Sequence, residues 1–466
     1  MIWSGVLATP AHERTSRTEY SFAAFFFLLW RCTIAEIIKT FGQHFSSGDV
    51  IEVIRSRNAA DLQLLHWDGS VGHVTSKVNL EDKVYEPDIL EPSFARAVRL
   101  PSNMQPHSSA AALLADLATS IEKFAGLSND FARLMAFFII GTWTRDAGSI
   151  APRLTLFGPP SREIDQATRL LNCCCFHGVP LAGITPVALL ALPFEFGLTL
   201  VIRDRKLSPQ LISLMDACIR KSQFVVRHGN LINPFCSIAV IVQKPIDDAF
   251  AFVGLEIPVS PTLRSVPFLD PLTEEQIAVK FQNSLLAFRV SNSALTRNSG
   301  FDPADLSSPL RELGRSLGAC LSNDIDLQTE LIGRLRNTDR RARILQSTNQ
   351  EAVLVEALLF FCHERRGEKR GLHVQEIAAA MNVINTGRGE AFTHSPRSIG
   401  ELLRAVGFET SRLDRNGRGI ILCGDITARV HELAMDLGVP SMREGTPGCE
   451  TCKCVLEVAP GQKKGP

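Results

Sequence analysis

The spacing of apolar residues changes along the chain and divides it into segments with different predicted structures. Residues 19–43 carry apolar side chains at helical spacing, which predicts a buried helix. From residue 49 to residue 92 the pattern is that of short strands, and Asp68–Gly69 is typical of a tight hairpin turn. The chain therefore begins with a predicted helix and a small antiparallel β region.

The centre of the sequence has a helix, strand, loop and helix in succession. Residues 130–144 are apolar on nearly every face, which predicts a buried helix. A short strand at residues 153–157 leads to a loop at Gly158 and a second helix at residues 163–176. A strand, a glycine-led loop and a helix N-terminus form a phosphate-binding site when the loop has suitable residues.

The loop at Gly158 lacks those residues. The template G-x-x-x-x-G-K-[ST] requires glycine, lysine and Ser/Thr where this chain has Glu163, Ile164 and Asp165. Two carboxylates already complement the positive end of the helix. The succession of strand, glycine-led loop and helix predicts a P-loop-like fold. The residues found in the loop predict that ATP binds weakly or not at all.

The strand at residues 197–202 ends without the expected pair of acids. An ATP hydrolase places acids here to hold Mg²⁺ and polarise water, whereas this chain has Arg203 and Asp204. Arg203 would repel the metal, and Asp204 is interpreted as a solubilising residue at a strand end rather than a relic. Neither ATP nor Mg²⁺ is therefore expected as a cofactor. The alternative is an active hydrolase with a diverged loop, in which another cation replaces the lysine: Arg162, Arg169 or Lys206.

Further strands and helices extend this pattern. Strands are predicted at residues 223–226, 237–243 and 255–259, and their alternation with helices predicts an α/β fold with a parallel sheet. A Pro-rich stretch at residues 258–271 marks a boundary, after which the chain is helical.

The central sequence resembles the AAA+-type modules of helicase and primase proteins carried by bacterial mobile elements. The resemblance covers roughly residues 110–440 and is carried by FFIIGTWTRD (137–146), PRLTLFGPP (152–160), ITP (184–186), LTLVI (198–202) and LRELGRSLGACL (310–321). It implies an AAA+-like core, a helical lid, and a terminal winged helix that binds DNA. It also implies assembly with further copies or with a replication protein. Active members carry the lysine and paired acids that this chain lacks, so a pseudo-ATPase is expected.

The C-terminal region predicts a winged helix-turn-helix. Helices are predicted at residues 350–365, 373–384 and 395–407, followed by two short strands around residues 414–417. In such a domain the third helix enters the major groove and the hairpin contacts the backbone. Two arginines lie on the third helix and three on or beside the hairpin: Arg397, Arg404, Arg412, Arg415 and Arg418. These residues predict DNA binding, with protein contact as the alternative.

Composition limits these interpretations. The 466 residues have a formal net charge of zero, so DNA binding requires a local basic face. Twelve scattered cysteines fit reduced thiols and a cytoplasmic location. The apolar run at residues 22–30 is too short to span a bilayer, so no membrane partner is expected, and a targeting segment is the alternative to a buried helix.

The last cysteines have part of a zinc-binding pattern. Cys449, Cys452 and Cys454 supply three thiols, but tetrahedral zinc takes four ligands. Cys423 or His431 could complete the set. The expectation is free thiols in a disordered tail without zinc, and His363 is interpreted as a surface residue.

The predicted protein is an α/β chain in five parts. They are an N-terminal helix with a small antiparallel β domain (1–104), a degenerate P-loop-like core (105–262), a helical lid (263–345), a winged helix-turn-helix (346–440) and a disordered tail (441–466). Its predicted function is that of a catalytically silent, DNA-associated scaffold in the replication of a mobile element. A ligand-sensing transcription regulator is a further alternative.

Overall fold

A computed structural model of the chain describes most of its residues. These are 36–55, 62–227, 229–246, 254–262, 266–297, 299–321, 323–347, 349–364, 370–390, 393–415, 417–444, 446 and 449–458. The apolar run at residues 22–30 lies outside this set. Within the set, no helix is both long enough and apolar enough to cross a membrane.

The N-terminal region consists of two small sheets. Its strands are β1 (Glu36–Thr40), β2 (Gly42–His44), β3 (Val50–Ile54), β4 (Gln63–Trp67), β5 (Gly72–Thr75), β6 (Val78–Leu80) and β7 (Lys83–Pro87). One sheet is antiparallel with the order β2-β3-β4-β5, and the other has the order β1-β7-β6 with β1 and β7 parallel. The predicted turn at Asp68 is present, since its carboxylate accepts hydrogen bonds from the N–H groups of Ser70 and Val71.

The helix predicted over residues 19–43 is wrong at its C-terminal end, where β1 and β2 lie. Ile37 and Ile38 of β1 pair with Val84 and Tyr85 of β7. β-Branched side chains fit a pleated sheet well. Pairing with a strand far along the chain therefore outweighs the helical spacing of these apolar residues.

Three helices connect the N-terminal sheets to the central one: α1 (Pro92–Ala97), α2 (Ala110–Ala125) and α3 (Asn129–Trp143). Ser109 caps α2 by accepting a hydrogen bond from the Ala112 N–H at 3.1 Å. Gly126 ends α2 in the left-handed conformation with φ of 65°. Helix α3 is buried along most of its length, as its sequence predicts.

A five-stranded parallel sheet forms the centre of the molecule. The elements in order are β8 (Arg153–Phe157), α4 (Arg162–Cys174), β9 (Gly178–Ala182), α5 (Pro186–Leu190), β10 (Thr199–Arg203), α6 (Pro209–Cys218), β11 (Val225–Arg227), β12 (Asn230–Ile232), β13 (Ser237–Val242) and β14 (Leu255–Pro258). The order across the sheet is β14-β8-β13-β10-β9. Every residue of β13 is buried, as expected of a central parallel strand covered on both faces. The mixed α/β class with a parallel sheet is confirmed.

One prediction about this sheet is wrong, and one of its strands was not predicted. The strand predicted at residues 223–226 does not join it, because Val225–Arg227 pairs with Asn230–Ile232 in a separate antiparallel hairpin. The sequence analysis also missed β9, whose Pro180 interrupts the strand pattern. β9 lies at the sheet edge, where a residue without an N–H is tolerated.

Three long helices follow the sheet: α7 (Pro271–Arg297), α8 (Ser308–Gly318) and α9 (Ile325–Ser347). α7 packs against α4 through polar contacts. The Gln282 side-chain amide donates to the Cys173 and Cys175 carbonyls at 2.8 and 3.2 Å, and Arg169 Nε donates to Glu274 at 2.7 Å. These contacts hold α7 beside the helix that follows the Gly158 loop.

A buried ion cluster connects α7 to the N-terminal sheet. Arg289 of α7 donates to Glu52 of β3 at 2.6 Å and to Asp146 at 2.8 Å. Its guanidinium carbon is 4.6 Å from the centre of the Phe176 ring. Burial raises the pKa of Glu52 despite the nearby Arg289. The pKa of His44 falls to about 3, mainly through burial and also through Arg289.

The C-terminal region has its own core. Its elements are α10 (Gln350–Glu364), β15 (Arg370–His373), α11 (Val374–Gly387), α12 (Pro396–Ala405), β16 (Ser411–Asp414), β17 (Gly417–Leu422), α13 (Gly424–Asp436), α14 (Pro440–Glu444) and α15 (Glu450–Val458). The three strands form an antiparallel sheet with the order β15-β17-β16. Ile399 and Leu403 of α12 and Ile420 of β17 are buried in this core.

The disordered tail predicted from residue 441 onward is wrong over the residues that form α14 and α15. Cys449 and Cys452 are buried in the same core as Ile399. Burial of the two cysteines against α10 and α13 depends on contacts far apart in the chain.

Candidate functional site

The carboxyl edge of the central sheet has the topology of a ligand site. The chain leaves β8 toward β9 at one edge of the sheet, and leaves β13 toward β14 at the other. The direction of the connections therefore reverses between β8 and β13. Open α/β sheets bind ligands beyond the carboxyl ends of their strands at such a point.

The loop after β8 is short and poor in backbone donors. Four residues, 158–161, separate Phe157 of β8 from Arg162 of α4. Ile164 and Asp165, at the template positions for lysine and Ser/Thr, already lie in the first turn of α4. Pro159 and Pro160 have no N–H to donate. The loop therefore offers few of the backbone donors with which a phosphate loop holds its ligand.

Gly158 is committed to contacts within the sheet. Its N–H donates to the Val242 carbonyl at 3.1 Å, and a Cβ atom at this position would lie 2.0 Å from the Val259 carbonyl oxygen. Glycine is therefore required here because two strand ends approach it closely. That packing explains the glycine without a bound phosphate.

The N-terminus of α4 is capped by the chain itself. Ser161 Oγ accepts from the Ile164 N–H at 3.3 Å, and Glu163 Oε1 accepts from the Thr262 N–H at 3.1 Å. Burial acts to raise the pKa of Glu163, but hydrogen bonds from backbone N–H groups outweigh it and hold that pKa below its usual range. A negative charge therefore already lies where a phosphate would need the helix end.

The metal-acid position of β10 holds an ion pair. Arg203 Nη1 lies 2.5 Å from Asp165 Oδ1, and both side chains are about half exposed. Asp204 Oδ1 accepts from the Lys206 N–H at 3.3 Å. Arg203 thus joins the end of β10 to α4 and places a positive charge where Mg²⁺ would bind.

The arginines suggested as substitutes for the missing lysine have other partners. Arg169 binds Glu274 of α7. Arg162 lies with its guanidinium carbon 5.6 Å from the centre of the Phe268 ring. Both contacts stabilise the packing around α4.

The arginines of the C-terminal region lie on one helix and one hairpin. Arg397 and Arg404 are exposed on α12, and Arg397 is 3.9 Å from Glu401 on the same helix. Ser395 begins α12 by accepting from the Ser398 N–H at 3.2 Å. On the opposite side, Ile399 and Leu403 enter the core. The helix therefore has a buried apolar face and an exposed face with two arginines.

An asparagine fixes the entry to α12. Asn382 of α11 accepts from the His394 N–H at 2.6 Å and donates to the His394 carbonyl at 3.2 Å. This two-point contact sets the position of the turn between α11 and α12. The sequence analysis missed Asn382, since an asparagine within a helix has no distinguishing local pattern.

Arg412 and Arg418 face each other across the hairpin. They are register partners in the antiparallel pair β16–β17, and both are exposed. Arg412 Nε donates to the Asp414 carbonyl at 3.3 Å and Arg418 Nη2 to the Thr410 carbonyl at 2.6 Å. Arg415 is exposed at the turn. Like charges directly opposite each other destabilise a sheet, and the two backbone hydrogen bonds offset part of that cost.

The structure brings two of the three tail cysteines together with two histidines. Cys449 and Cys452 lie beside His431, which the sequence analysis named as a completing ligand, and beside His363, which it assigned to the surface. The described cysteines are free thiols. The side chain of Cys454 lies outside the described part of the chain, and Cys423 is not a member of the group. No sequence spacing relates His363 to Cys452, which lies 89 residues further along.

Comparisons with known proteins give structural likenesses only. No family model matches the chain, and no curated protein matches it. The apo A form of the NrS-1 C-terminal region aligns over 80% of this chain and 95% of its own, with 9% identity and a TM-score of 0.35. A full-length MCM homolog from Methanopyrus kandleri aligns over 62% and 77%, with 13% identity and a TM-score of 0.31. Drosophila ORC bound to DNA aligns over 75% and 96%, with 10% identity and a TM-score of 0.19. Scores and identities this low support no statement about the function of this chain.

Proposed function

We propose that the chain is a catalytically silent, AAA+-like DNA-associated protein. Its C-terminal region is a winged helix-turn-helix that contacts DNA, and its central sheet region serves as a scaffold with α7, α8 and α9 as the lid. The resemblance to mobile-element helicase and primase modules suggests replication as the process, with further copies or a replication protein as partners.

The observation that carries the DNA proposal is the opposition of Arg412 and Arg418. Like charges directly opposite each other on a sheet are destabilising, and both of these side chains are exposed. An anionic partner that binds both guanidinium groups would remove this repulsion. Duplex DNA presents closely spaced phosphates that can do so.

The surrounding charges favour the same partner. Residues 395–418 contain five arginines against three carboxylates, in a chain whose formal net charge is zero. α12 follows a helix and a turn, as a recognition helix does, and the hairpin follows α12. In a winged helix the recognition helix reads the major groove, and the hairpin contacts the DNA backbone. This order supports the proposal that Arg397 and Arg404 read base edges and that the hairpin arginines contact phosphates.

Catalytic silence rests on the carboxyl edge of the sheet. The loop after β8 has two prolines, its glycine N–H is bound to Val242, and the first turn of α4 carries the carboxylates of Glu163 and Asp165. Arg203 occupies the position of the metal-binding acid. Phosphoryl transfer depends almost wholly on positioning and on stabilisation of negative charge. The residues at this edge are therefore unsuited both to positioning a nucleotide and to stabilising the negative charge of its phosphates.

Binding of full-length protein to a labelled duplex, followed by fluorescence anisotropy at low salt, tests the DNA proposal. The paired variant Arg412→Ala, Arg418→Ala is expected to weaken binding by roughly tenfold or more. A matched control is Arg315→Ala, Arg336→Ala, which removes two exposed arginines of α8 and α9. The proposal fails if the wild-type protein binds no duplex, or if both variants lose affinity equally. ATP turnover by the wild-type protein, with or without DNA, would contradict the silent core.

A further inference from the structure

Four side chains from distant parts of the sequence meet at one point in the C-terminal core. His363 lies near the end of α10 and His431 on α13, while Cys449 immediately precedes α15 and Cys452 lies in its first turn. Their ligand atoms all lie within 4.8 Å of one another. Three of the four residues are buried, and His363 is half-buried.

Three of the separations between these atoms are close to the edges of a zinc tetrahedron, and all lie within 4.8 Å. Zinc bonds of about 2.3 Å to sulfur and 2.0–2.1 Å to nitrogen place tetrahedral ligand atoms roughly 3.3–3.8 Å apart. The observed distances are 3.1 Å between the two Nε2 atoms, 3.2 Å from His363 Nε2 to Cys452 Sγ, and 3.4 Å from His431 Nε2 to Cys449 Sγ. One ion could therefore bind all four atoms after small side-chain shifts.

Both imidazole rings are oriented by contacts on their outer nitrogen. His431 Nδ1 is 2.7 Å from the Thr427 carbonyl, and because a carbonyl only accepts, Nδ1 carries the proton. The Nε2 of a neutral His431 therefore presents its lone pair to the cluster. His363 Nδ1 lies 2.9 Å from Thr446 Oγ1. Histidines that ligate metals are typically held in this way by an outer hydrogen bond.

The type of ligand identifies the type of metal and site. Two thiolates with two imidazoles favour zinc over the hard cations Mg²⁺ and Ca²⁺. Four protein ligands leave no coordination position for water or substrate, which is the property of a structural site rather than a catalytic one.

We propose that His363, His431, Cys449 and Cys452 bind one zinc ion. The ion joins α15 to α10 and α13, and so fixes the last described helix of the chain to the C-terminal core. This proposal is independent of DNA binding and of catalytic silence, since it rests on a different group of residues.

The first test measures metal in the wild-type full-length protein, purified without chelator. Elemental analysis is expected to find about one zinc per chain. Protein stripped of zinc and reloaded with Co²⁺ is expected to show the visible absorption of tetrahedral cobalt with a thiolate charge-transfer band. Wild-type protein that contains no zinc and gives no such spectrum with Co²⁺ overturns the proposal. A Cys449–Cys452 disulfide found by mass spectrometry in the folded, freshly purified protein also overturns it.

The second test assigns the ligands. The paired variant Cys449→Ser, Cys452→Ser and the single variant His363→Gln are each expected to lose the zinc. Cys423→Ser is the matched control, because Cys423 is a half-buried free thiol outside the cluster, and it is expected to retain one zinc per chain. Zinc retained in full by the paired cysteine variant, or lost equally from Cys423→Ser, assigns the metal elsewhere and contradicts this site.

Discussion

Removal of Arg289 should destabilise the protein through the charge left on Glu52. In Arg289→Met, the Glu52 carboxylate loses its 2.6 Å partner while it remains 2% exposed. Asp146 is less affected because its side chain is 39% exposed and reaches solvent. His44 Nε2 still lies 3.9 Å from Glu52 Oε1, but burial lowers the pKa of His44 to about 3, so its ring is neutral near pH 7. Glu52 would then take up a proton in the folded state rather than stay charged without a hydrogen-bonded cation.

The expected cost follows from the pH at which Glu52 ionises in the unfolded chain. A glutamate with an unfolded pKa of about 4.3 requires about 1.36 kcal/mol per pH unit to stay protonated above that value. The cost is therefore about 3.7 kcal/mol at pH 7 and about 1 kcal/mol at pH 5. The pH 7 figure agrees with the roughly 3–5 kcal/mol typical of a broken buried ion pair.

Urea unfolding followed by the fluorescence of buried Trp143, which adjoins Arg289, measures this cost. The double variant Glu52→Gln, Arg289→Met should recover much of the lost stability at pH 7, and its difference in stability from the wild-type protein should be similar at pH 5 and pH 7. Arg315→Met, at a half-exposed surface pair, is the control and should change stability by less than about 1 kcal/mol. A loss in Arg289→Met that is below about 1 kcal/mol, or equal at pH 5 and pH 7, refutes this reasoning.

Three further predictions concern acid stability, nucleotide and base recognition. Burial lowers the pKa of both His44 and His177 to about 3 in the folded protein. Below about pH 6.5 the unfolded chain therefore binds more protons than the folded protein. The contribution of the two neutral histidines to folding stability is complete above that pH and is lost as the pH falls toward 3. Thermal unfolding should show a falling Tm from pH 7 to pH 5, and an unchanged Tm over that interval contradicts the prediction. Calorimetry with ATP and Mg²⁺ should show no micromolar binding, and turnover abolished by Asp204→Ala would restore the active-hydrolase alternative. If Arg397 or Arg404 reads a base edge, its replacement by alanine should weaken DNA binding by roughly 1–3 kcal/mol and relax the sequence preference at that base. An equal loss of affinity for all duplexes would instead assign that arginine to the DNA backbone.

Local signals predicted the elements nearest the candidate sites. The strand Arg153–Phe157 is confirmed at the predicted residues, since the run is too short for a typical helix and is followed at once by Gly158 and two prolines. The Ser395–Pro396 start signal likewise located α12. Glu163 and Asp165 indicated from the sequence that the helix end after Gly158 already carries negative charge, and the structure places both in the first turn of α4.

Features that depend on distant contacts were not predictable from local pattern. β1 was assigned to a helix because its partner strand β7 is distant in the sequence. The paired residues Lys39 and Glu86, for example, are 47 residues apart. β9 was missed because Pro180 is tolerated only at an edge that the sequence does not reveal. The opposition of Arg412 and Arg418 depends on hairpin register, and the meeting of His363 with Cys452 depends on how the three helices α10, α13 and α15 pack.

The salt dependence of DNA binding tests the central claim most directly. Each phosphate contact contributes about 0.9 to the slope of log affinity against log salt concentration. If Arg412 and Arg418 each contact one phosphate, the slope of the paired alanine variant should be shallower than that of the wild-type protein by about two. The Arg315→Ala, Arg336→Ala control should keep the wild-type slope. A wild-type affinity that does not respond to salt, or a hairpin variant with the wild-type slope, would contradict the assignment of this hairpin to the DNA backbone.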